Sequence, residues 1–248
     1  MDLGGRRAVV IGASSGIGRC VAEHLTRMDA SVLWCGRRGP LLEELVATAG
    51  SGTAVPADIS DEAGCRSVGV AAASVAPIDL VVIASGASDV VMLRDADSSC
   101  WERMLRTNVI GPSLVVRHLL DHLAPDAIVA MLSSESVGQP YPGLVPYAAS
   151  KAALEELIRG WRTEHPEFRF SRVTVGATDG TDFARDFAPE LFGPLFERWL
   201  HAGHIPARVM QAEDVGASIA HILGHAVLVP GVDVQDVVLR SPGPPMSL

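Results

Sequence analysis

Arg7-Ala8-Val9-Val10-Ile11-Gly12-Ala13-Ser14-Ser15-Gly16-Ile17-Gly18 is the stretch that decides how the rest of the chain is read. The apolar run from Arg7 to Gly12 has the length and character of a buried parallel strand. It ends in glycines spaced G-x-x-x-G-x-G, and an amphipathic stretch follows to Met28. Strand, glycine turn and helix make a phosphate site. Glycine lets the backbone come close, and the helix N-terminus offers free amides and a favourable dipole. The alternative for the glycines alone is a tight turn. No Gly-Lys-Ser/Thr follows, which excludes a nucleotide triphosphatase loop. Gly12, Ser14, Ser15, Gly16, Ile17 and Gly18 are therefore candidate dinucleotide-binding residues.

The same alternation continues. Strand-like runs stand at 31–35, 53–56, 78–84, 127–132, 169–175 and 234–239. Helical patterns stand between them at 41–49, 61–75, 98–121 and 147–164, the last stopped by Pro166. The pattern at 98–121 is interrupted near Thr107-Asn108 and at Gly111-Pro112. Asn108, a poor helix former, is expected to distort the helix locally. Strands alternating with helices predict an α/β fold: a Rossmann-like doubly wound parallel sheet of about seven strands, helices on both faces, one domain over 1–248. Ligands of such sheets bind at the carboxyl ends of the strands. Gly12 to Gly18, Arg37, Arg38, Asp58, Ile59, Ala84, Ser85, Gly86 and Ser134 all follow strands, so they are expected on one edge. The second strand ends in Gly36-Arg37-Arg38, without the acid that would select NAD through its ribose hydroxyls. Arginine suits a 2′-phosphate, so NADP(H) is expected over NAD(H). A solvated arginine pair is the alternative. Asp58 is placed to receive the adenine amino group; otherwise it caps the helix that starts near Asp61.

A second stretch carries chemistry. Ser133-Ser134-Glu135-Ser136 is followed by Tyr147-Ala148-Ala149-Ser150-Lys151. Lys151 is the only lysine, Asn108 the only asparagine, and Tyr147 one of two tyrosines. Residues four apart on a helix are neighbours. The Lys151 ammonium can therefore stand beside the Tyr147 phenol and lower its pKa from about 10. The pair reads as a general acid/base that exchanges a proton with a hydroxyl or carbonyl oxygen. Ser134 could hold the same oxygen.

The apolar share of 48% supports a sizeable core, and the net charge of −9 with no basic cluster argues against nucleic acid and anionic membranes. No apolar run approaches the ~20 residues of a membrane span. Met1 to Arg7 is short and polar before the first strand, so a cytoplasmic protein without a leader is expected. Cys20, Cys35, Cys65 and Cys100 lack metal-ligand spacing and read as buried free thiols. No metal site is expected, and His201 and His204 are read as surface histidines.

With these motifs in place, the chain resembles the classical short-chain dehydrogenase/reductase (SDR) family over nearly its whole length. The matching residues are Gly12-x-x-x-Gly16-x-Gly18, Asp58, Asn108, Ser134 thirteen residues before Tyr147, and Tyr147-x-x-x-Lys151. The resemblance implies hydride transfer between NADP(H) and a small-molecule carbonyl or secondary alcohol. It makes Asn108, Ser134, Tyr147 and Lys151 catalytic, with Tyr147 and Lys151 also touching the cofactor. Asn108 would bind a relay water through its backbone. It implies a homodimer or homotetramer. Three features depart from the family. Ala84-Ser85-Gly86-Ala87 lacks an amide side chain usual there. Gly176-Ala177-Thr178 replaces a Pro-Gly, leaving Thr178 as the candidate nicotinamide contact. Ser133 and Ser136 compete with Ser134, which is chosen on spacing. Residues 179–208 take the place of the substrate lid and hold Phe183, Phe187, Phe192, Phe196 and Trp199. They suggest either a lid over an apolar substrate or a helix packed on the core or a neighbouring subunit. The tail 241–248 is read as irregular. Two other functions stay open: an idle nucleotide-binding regulator, and non-redox lyase or epimerase chemistry.

Overall fold

The computed structural model of the chain describes residues 1–185, 187–206 and 208–242. Arg7–Ile11 (β1) leads through Gly16–Arg27 (α1) to Ser31–Gly36 (β2), and Gly39–Ala49 (α2) leads to Thr53–Pro56 (β3). Glu62–Ala73 (α3) precedes Ile78–Ile83 (β4). Ser98–Leu105 (α4) and Gly111–Leu119 (α5) are joined by a π-helical turn at Arg106–Ile110. Leu123–Ser134 (β5), Val145–Glu164 (α6) and Arg169–Val175 (β6) follow. The two-residue strand Thr178–Asp179 (β7), the helix Pro189–His201 (α7) and the two-residue strand Met210–Gln211 (β8) come before Ala212–Leu228 (α8) and Asp236–Leu239 (β9).

Seven strands form one sheet in the order β3-β2-β1-β4-β5-β6-β9, parallel at every pairing. The order reverses between β1 and β4. In doubly wound sheets the ligand crevice opens at such a reversal, beyond the carboxyl ends of the strands. Strand side chains alternate between the two faces, and here both faces are covered. Val10, Trp34, Val82 and Ala130 pack with α1, α2 and α8 residues such as Leu25, Leu42 and Ile219. Val9, Leu33, Val81 and Val129 pack with Cys65, Val116, Leu154 and Ile158 from α3, α5 and α6. This explains why the strands read as continuous apolar runs. The four cysteines are unpaired and buried. Asp79 begins the interior of β4 by binding Arg6 Nη1 and the Arg7 amide.

Some expectations change. Helix α6 starts at Val145, two residues before Tyr147, with Pro146 in its first turn where no amide is needed. The cap of α3 is Asp61, whose carboxylate accepts from Ala63 N, and not Asp58. Helix α8 and the small β7–β8 sheet are elements the sequence reading does not contain. Helix α8 buries Ala212, Val215, Gly216, Ile219, Ala220, Leu223, Gly224, Ala226 and Val227 and exposes Glu213, Asp214, Ser218, His221 and His225 at helical spacing, an amphipathic period that the sequence reading passes over. Asp186 and Ala207 of the expected lid, and residues 243–248 of the expected tail, lie outside the described residues.

Helices α1 and α8 touch through Gly216. A Cβ there would overlap the Cys20 side chain and stand 3.0 Å from the Cys20 carbonyl carbon and the Val21 amide. Gly216→Val is expected to cost about 1–3 kcal/mol by overpacking, read as a lower thermal midpoint by circular dichroism. An unchanged midpoint would contradict this close approach.

Candidate active site

Strand β5 and helix α6 meet in three successive contacts. Tyr147, Lys151 and Glu155 lie one helical turn apart on one face of α6. The Ser134 hydroxyl neighbours the Tyr147 phenol and favours its ionised form. Lys151 Nζ donates to the Leu132 carbonyl at 2.8 Å. Glu155 Oε1 accepts from Ser133 Oγ at 2.6 Å, while Arg172 Nη1 donates to Glu155 Oε2 at 2.8 Å. The three candidate serines are thereby distinguished by their contacts. Ser133 is tied to Glu155. Ser136 donates from its amide (3.2 Å) and its hydroxyl (3.0 Å) to Ser134 Oγ, orienting it. Ser134 is the one whose hydroxyl bears on the ionisation of the phenol.

Burial decides the ionisation of this pair. It pushes the Tyr147 phenol up to about 12, and the neighbouring Ser134 hydroxyl only partly offsets it. It pulls Lys151 down to about 8. The sequence-based expectation of a lowered phenol pKa is thus reversed in the chain by itself. The ammonium stands 5.9 Å from the Tyr147 ring centroid, and loss of water outweighs its attraction for the phenolate.

Asn108 is fully buried in the π-helical turn. Its Oδ1 accepts from Ala87 N at 2.7 Å, and its Nδ2 donates to Ala87 O and Ser150 Oγ, both at 2.8 Å. The side chain therefore holds the loop after β4 against α6, using both amide donors and one acceptor position of its oxygen. A π-helical turn of this kind is common at functional sites.

A cleft of about 960 Å³ runs along the carboxyl edge of the sheet, at the upper end of the ~300–1,000 Å³ usual for ligand pockets. Gly12, Ser14, Ser15, Gly16, Ile17, Gly18, Arg37, Arg38, Asp58, Ile59, Ala84, Ser85, Gly86, Ser134, Tyr147, Lys151 and Thr178 all line it; Asn108 stands behind it. The residues fit a dinucleotide. Ser15 is the N-cap of α1 but makes no capping hydrogen bond, and the first turn carries no acid, which leaves the helix amides open to an anion. Gly12 has φ +89°, and a Cβ there would press on the Ser85 amide at 2.8 Å. A Cβ on Gly86 would instead point at Asn108 Oδ1 (3.4 Å) and Lys151 Nζ (3.6 Å), so glycine keeps that wall open. The buried Ser85 Oγ has no partner among the described residues. Arg37 is exposed at the rim, and Arg38 donates to Ser14 Oγ at 3.0 and 3.1 Å. Asp58 Oδ1 is occupied by the amide and hydroxyl of Ser60. Thr178 Oγ1 donates to Gly176 O at 2.9 Å.

The lid segment does two jobs. Phe187, Leu195, Trp199 and Ile205 pack with Val90 and Leu144 in a cluster of their own. Phe183, Phe192, Phe196 and Trp199 also line the cleft. Phe183 meets Tyr147 edge-on at 5.3 Å between ring centroids. His204 is half-buried and stacked on Tyr141 at 4.7 Å, contrary to its reading as a surface residue. Sequence reasoning missed Asp182, Arg103, Arg106 and Glu135 on the cleft wall; none carries a periodic or spacing signal. Elsewhere, Cys20, Glu23 and Glu213 gather on α1 and α8, where Arg19, Arg27 and His24 already pair with the two carboxylates.

Comparison with known proteins agrees with this geometry. The short chain dehydrogenase family profile matches residues 6–191. The short-chain dehydrogenase/reductase FrzI of Cladobotryum sp is 34% identical over 165 residues, 64% of each chain and so under two thirds of that protein's length. An uncharacterized oxidoreductase of Mycobacterium tuberculosis is 31% identical over 243 residues, 95% of this chain and 90% of its own. Among solved structures, a short chain dehydrogenase from Burkholderia cenocepacia in complex with NADP superposes with a TM-score of 0.82 at 24% identity, covering 96% of this chain and 98% of that one.

The buried lysine makes stability depend on pH. The folded pKa of about 8 lies below the ordinary 10.5, so between those values the unfolded chain binds more protons and stability rises with pH. The difference in denaturation free energy between the wild type and Lys151→Met is expected to climb in favour of the wild type from about pH 8 upward. A flat difference in urea titrations across that range would refute the depressed value.

Proposed function

The chain belongs to the short-chain dehydrogenase/reductase family, and from that premise we propose that it is an NADP(H)-dependent oxidoreductase interconverting a carbonyl and a secondary alcohol. The observation that carries the proposal is that the Tyr147 phenol, Ser134 and Lys151 line one cleft at the open edge of the sheet, with the Lys151 ammonium 5.9 Å from the centroid of the phenol ring. When bound, NADP(H) supplies or accepts the hydride. Ser134 Oγ, oriented by Ser136, holds the substrate oxygen. Tyr147 Oη gives that oxygen its proton in reduction and takes it back in oxidation. A phenol near 12 stays protonated at neutral pH, which suits the donor role. Lys151 leans on the Leu132 carbonyl and offers its remaining N–H donors to the cofactor ribose beside Gly86. Asn108 fixes the wall at Ala87, and its π-helical turn provides the backbone contact for a relay water.

Arg37 and Arg38 support the preference for NADP(H), through a 2′-phosphate. Asp58 and Ile59 take the adenine end, and Thr178 the nicotinamide end. Phe183, Phe192, Phe196 and Trp199 beside the phenol support an apolar substrate, with Asp179 to Arg208 as its lid. Family membership supports a homodimer or homotetramer acting in the cytoplasm.

Reduced-cofactor absorbance across a panel of apolar and polar ketones, with NADPH and NADH in parallel, tests the proposal. Turnover with NADPH is expected, falling about 10²–10⁴-fold in Tyr147→Phe. A Tyr147→Phe enzyme as fast as the wild type would remove the phenol from the mechanism. Faster turnover with NADH would remove the 2′-phosphate reading of the arginines.

A further inference from the structure

The strap between β7 and α7 reaches across the cleft and ends on the arginine at its adenosine side. Asp182 Oδ2 accepts from Arg38 Nη2 at 3.2 Å. The same guanidinium donates to Ser14 Oγ. The nearby Ser15 hydroxyl favours the charged form of this carboxylate. Arg185 pairs with it as well. Asp182 therefore sits on two arginines, of which Arg38 reaches it from the far side of the cleft. Guanidinium donors are what a phosphate group would use.

We propose that Asp182 is a cofactor-selectivity residue: its carboxylate stands in for the 2′-phosphate on Arg38, and the phosphate must displace it to bind. This rests on the NADP(H) reading above. NADH carries no group for Arg38 and leaves the carboxylate in place, so Asp182 acts on one cofactor and not the other. The neighbouring residue links this contact to the chemistry. Phe183 covers the Tyr147 ring edge-on, and its carbonyl accepts from Ser88 Oγ at 2.6 Å. When a phosphate takes Arg38, Asp182 falls back on Arg185, and the strap loses one of its ties beside the phenol. Arrival of the cofactor at one end of the cleft thus loosens the cover at the other.

The contact is weak enough to be exchanged. Burial pushes the Asp182 carboxyl up, but the Ser15 hydroxyl and the Arg185 and Arg38 guanidinium groups outweigh it and hold the group below the ordinary carboxylate range, so it is charged at neutral pH. Both side chains of the Arg38–Asp182 pair are 36% exposed. Pairs at that exposure are screened by water and contribute little. Removing the carboxylate should therefore change affinity by roughly two- to fivefold.

Fluorescence titration of the folded protein with NADPH and with NADH, without any substrate, tests the proposal. Asp182→Asn keeps the shape of the side chain and removes its charge. It is expected to tighten NADPH roughly two- to fivefold and to leave NADH unchanged. Arg185→Met frees the carboxylate to rest on Arg38 and is expected to weaken NADPH alone. Thermal midpoints within a degree or so of the wild type (about the effect of a neutral surface change) show that both variants fold. Equal tightening of both cofactors, or no change in the NADPH-to-NADH ratio in Asp182→Asn, would overturn the proposal. The wild-type ratio is a separate readout. A wild type that prefers NADH would reject the NADP(H) reading, and the shift in ratio caused by Asp182→Asn would still decide the role of the carboxylate.

Discussion

A lysine ammonium held out of water is the constraint on which this site depends. Lys151 is 4% exposed, and a buried charge is costly unless it is paired or hydrogen-bonded. The protein answers with one acceptor, the Leu132 carbonyl, near the end of β5. An ammonium has three donors, and Gly86 leaves the open side without a side chain. The rest of the local structure follows from keeping that carbonyl beside that nitrogen. Helix α6 must run against β5 in one register. Glu155, one turn beyond Lys151, holds it there through Ser133 and is itself neutralised by Arg172. Asp236 extends the chain of charges to β9 through Arg172 Nε.

Residue type alone does not separate chemistry from support in this cleft. Ser133, Ser134 and Ser136 are close in sequence, yet each hydroxyl has a different partner. Asn108 looks like a ligand-binding amide and spends both donors and one acceptor position on Ala87 and Ser150. It compensates for the loop Ala84 to Ala87, which has no amide side chain of its own. At its chemical end Tyr147, Ser134 and Lys151 line the cleft together. Their partners inside the protein are fixed by strand and helix backbone, so little reorganisation is needed when a polar group arrives.

The strands, the glycine turn and the Tyr147–Lys151 pair were legible because each rests on a local period or spacing. Val9 and Val10 face opposite layers, so a parallel strand covered on both sides shows as an unbroken apolar run. The distortion expected at Asn108 appears as a π-helical turn. Helix α8 was legible too: Asp214, Ser218, His221 and His225 stand at helical spacing on its exposed face, and the sequence reading did not use that period. Asp182 was not legible. Its partner Arg38 lies 144 positions away, and nothing local distinguishes an acid that crosses a cleft from one on a solvated loop. The ionisation of Tyr147 was misjudged for a related reason. Spacing shows that a lysine is near, but the degree of burial, a property of the whole fold, decides which effect is larger.

The two walls of the cleft differ in what holds them, and that difference divides their roles. The strand-end wall is anchored by buried hydrogen bonds such as Asn108–Ala87 and Lys151–Leu132, and a buried polar group left without its partner costs about 1–3 kcal/mol. The strap wall is held at its tip by exposed ion pairs, Arg38–Asp182 and Arg185–Asp182, each of a kind contributing ~0–1 kcal/mol. Farther along, its aromatic cluster around Trp199 is buried and tied by the indole N–H donating to Pro142 O at 2.8 Å. The tie from 182 across the cleft to Arg38 is thus weaker than the packing of the root at α7, while Phe183 is held by Ser88 and by its ring contacts. Exchange of that tie leaves the hydroxyl of Ser134 and the ammonium of Lys151 where they are. The hold on Arg38 can then change without altering the groups that do the chemistry.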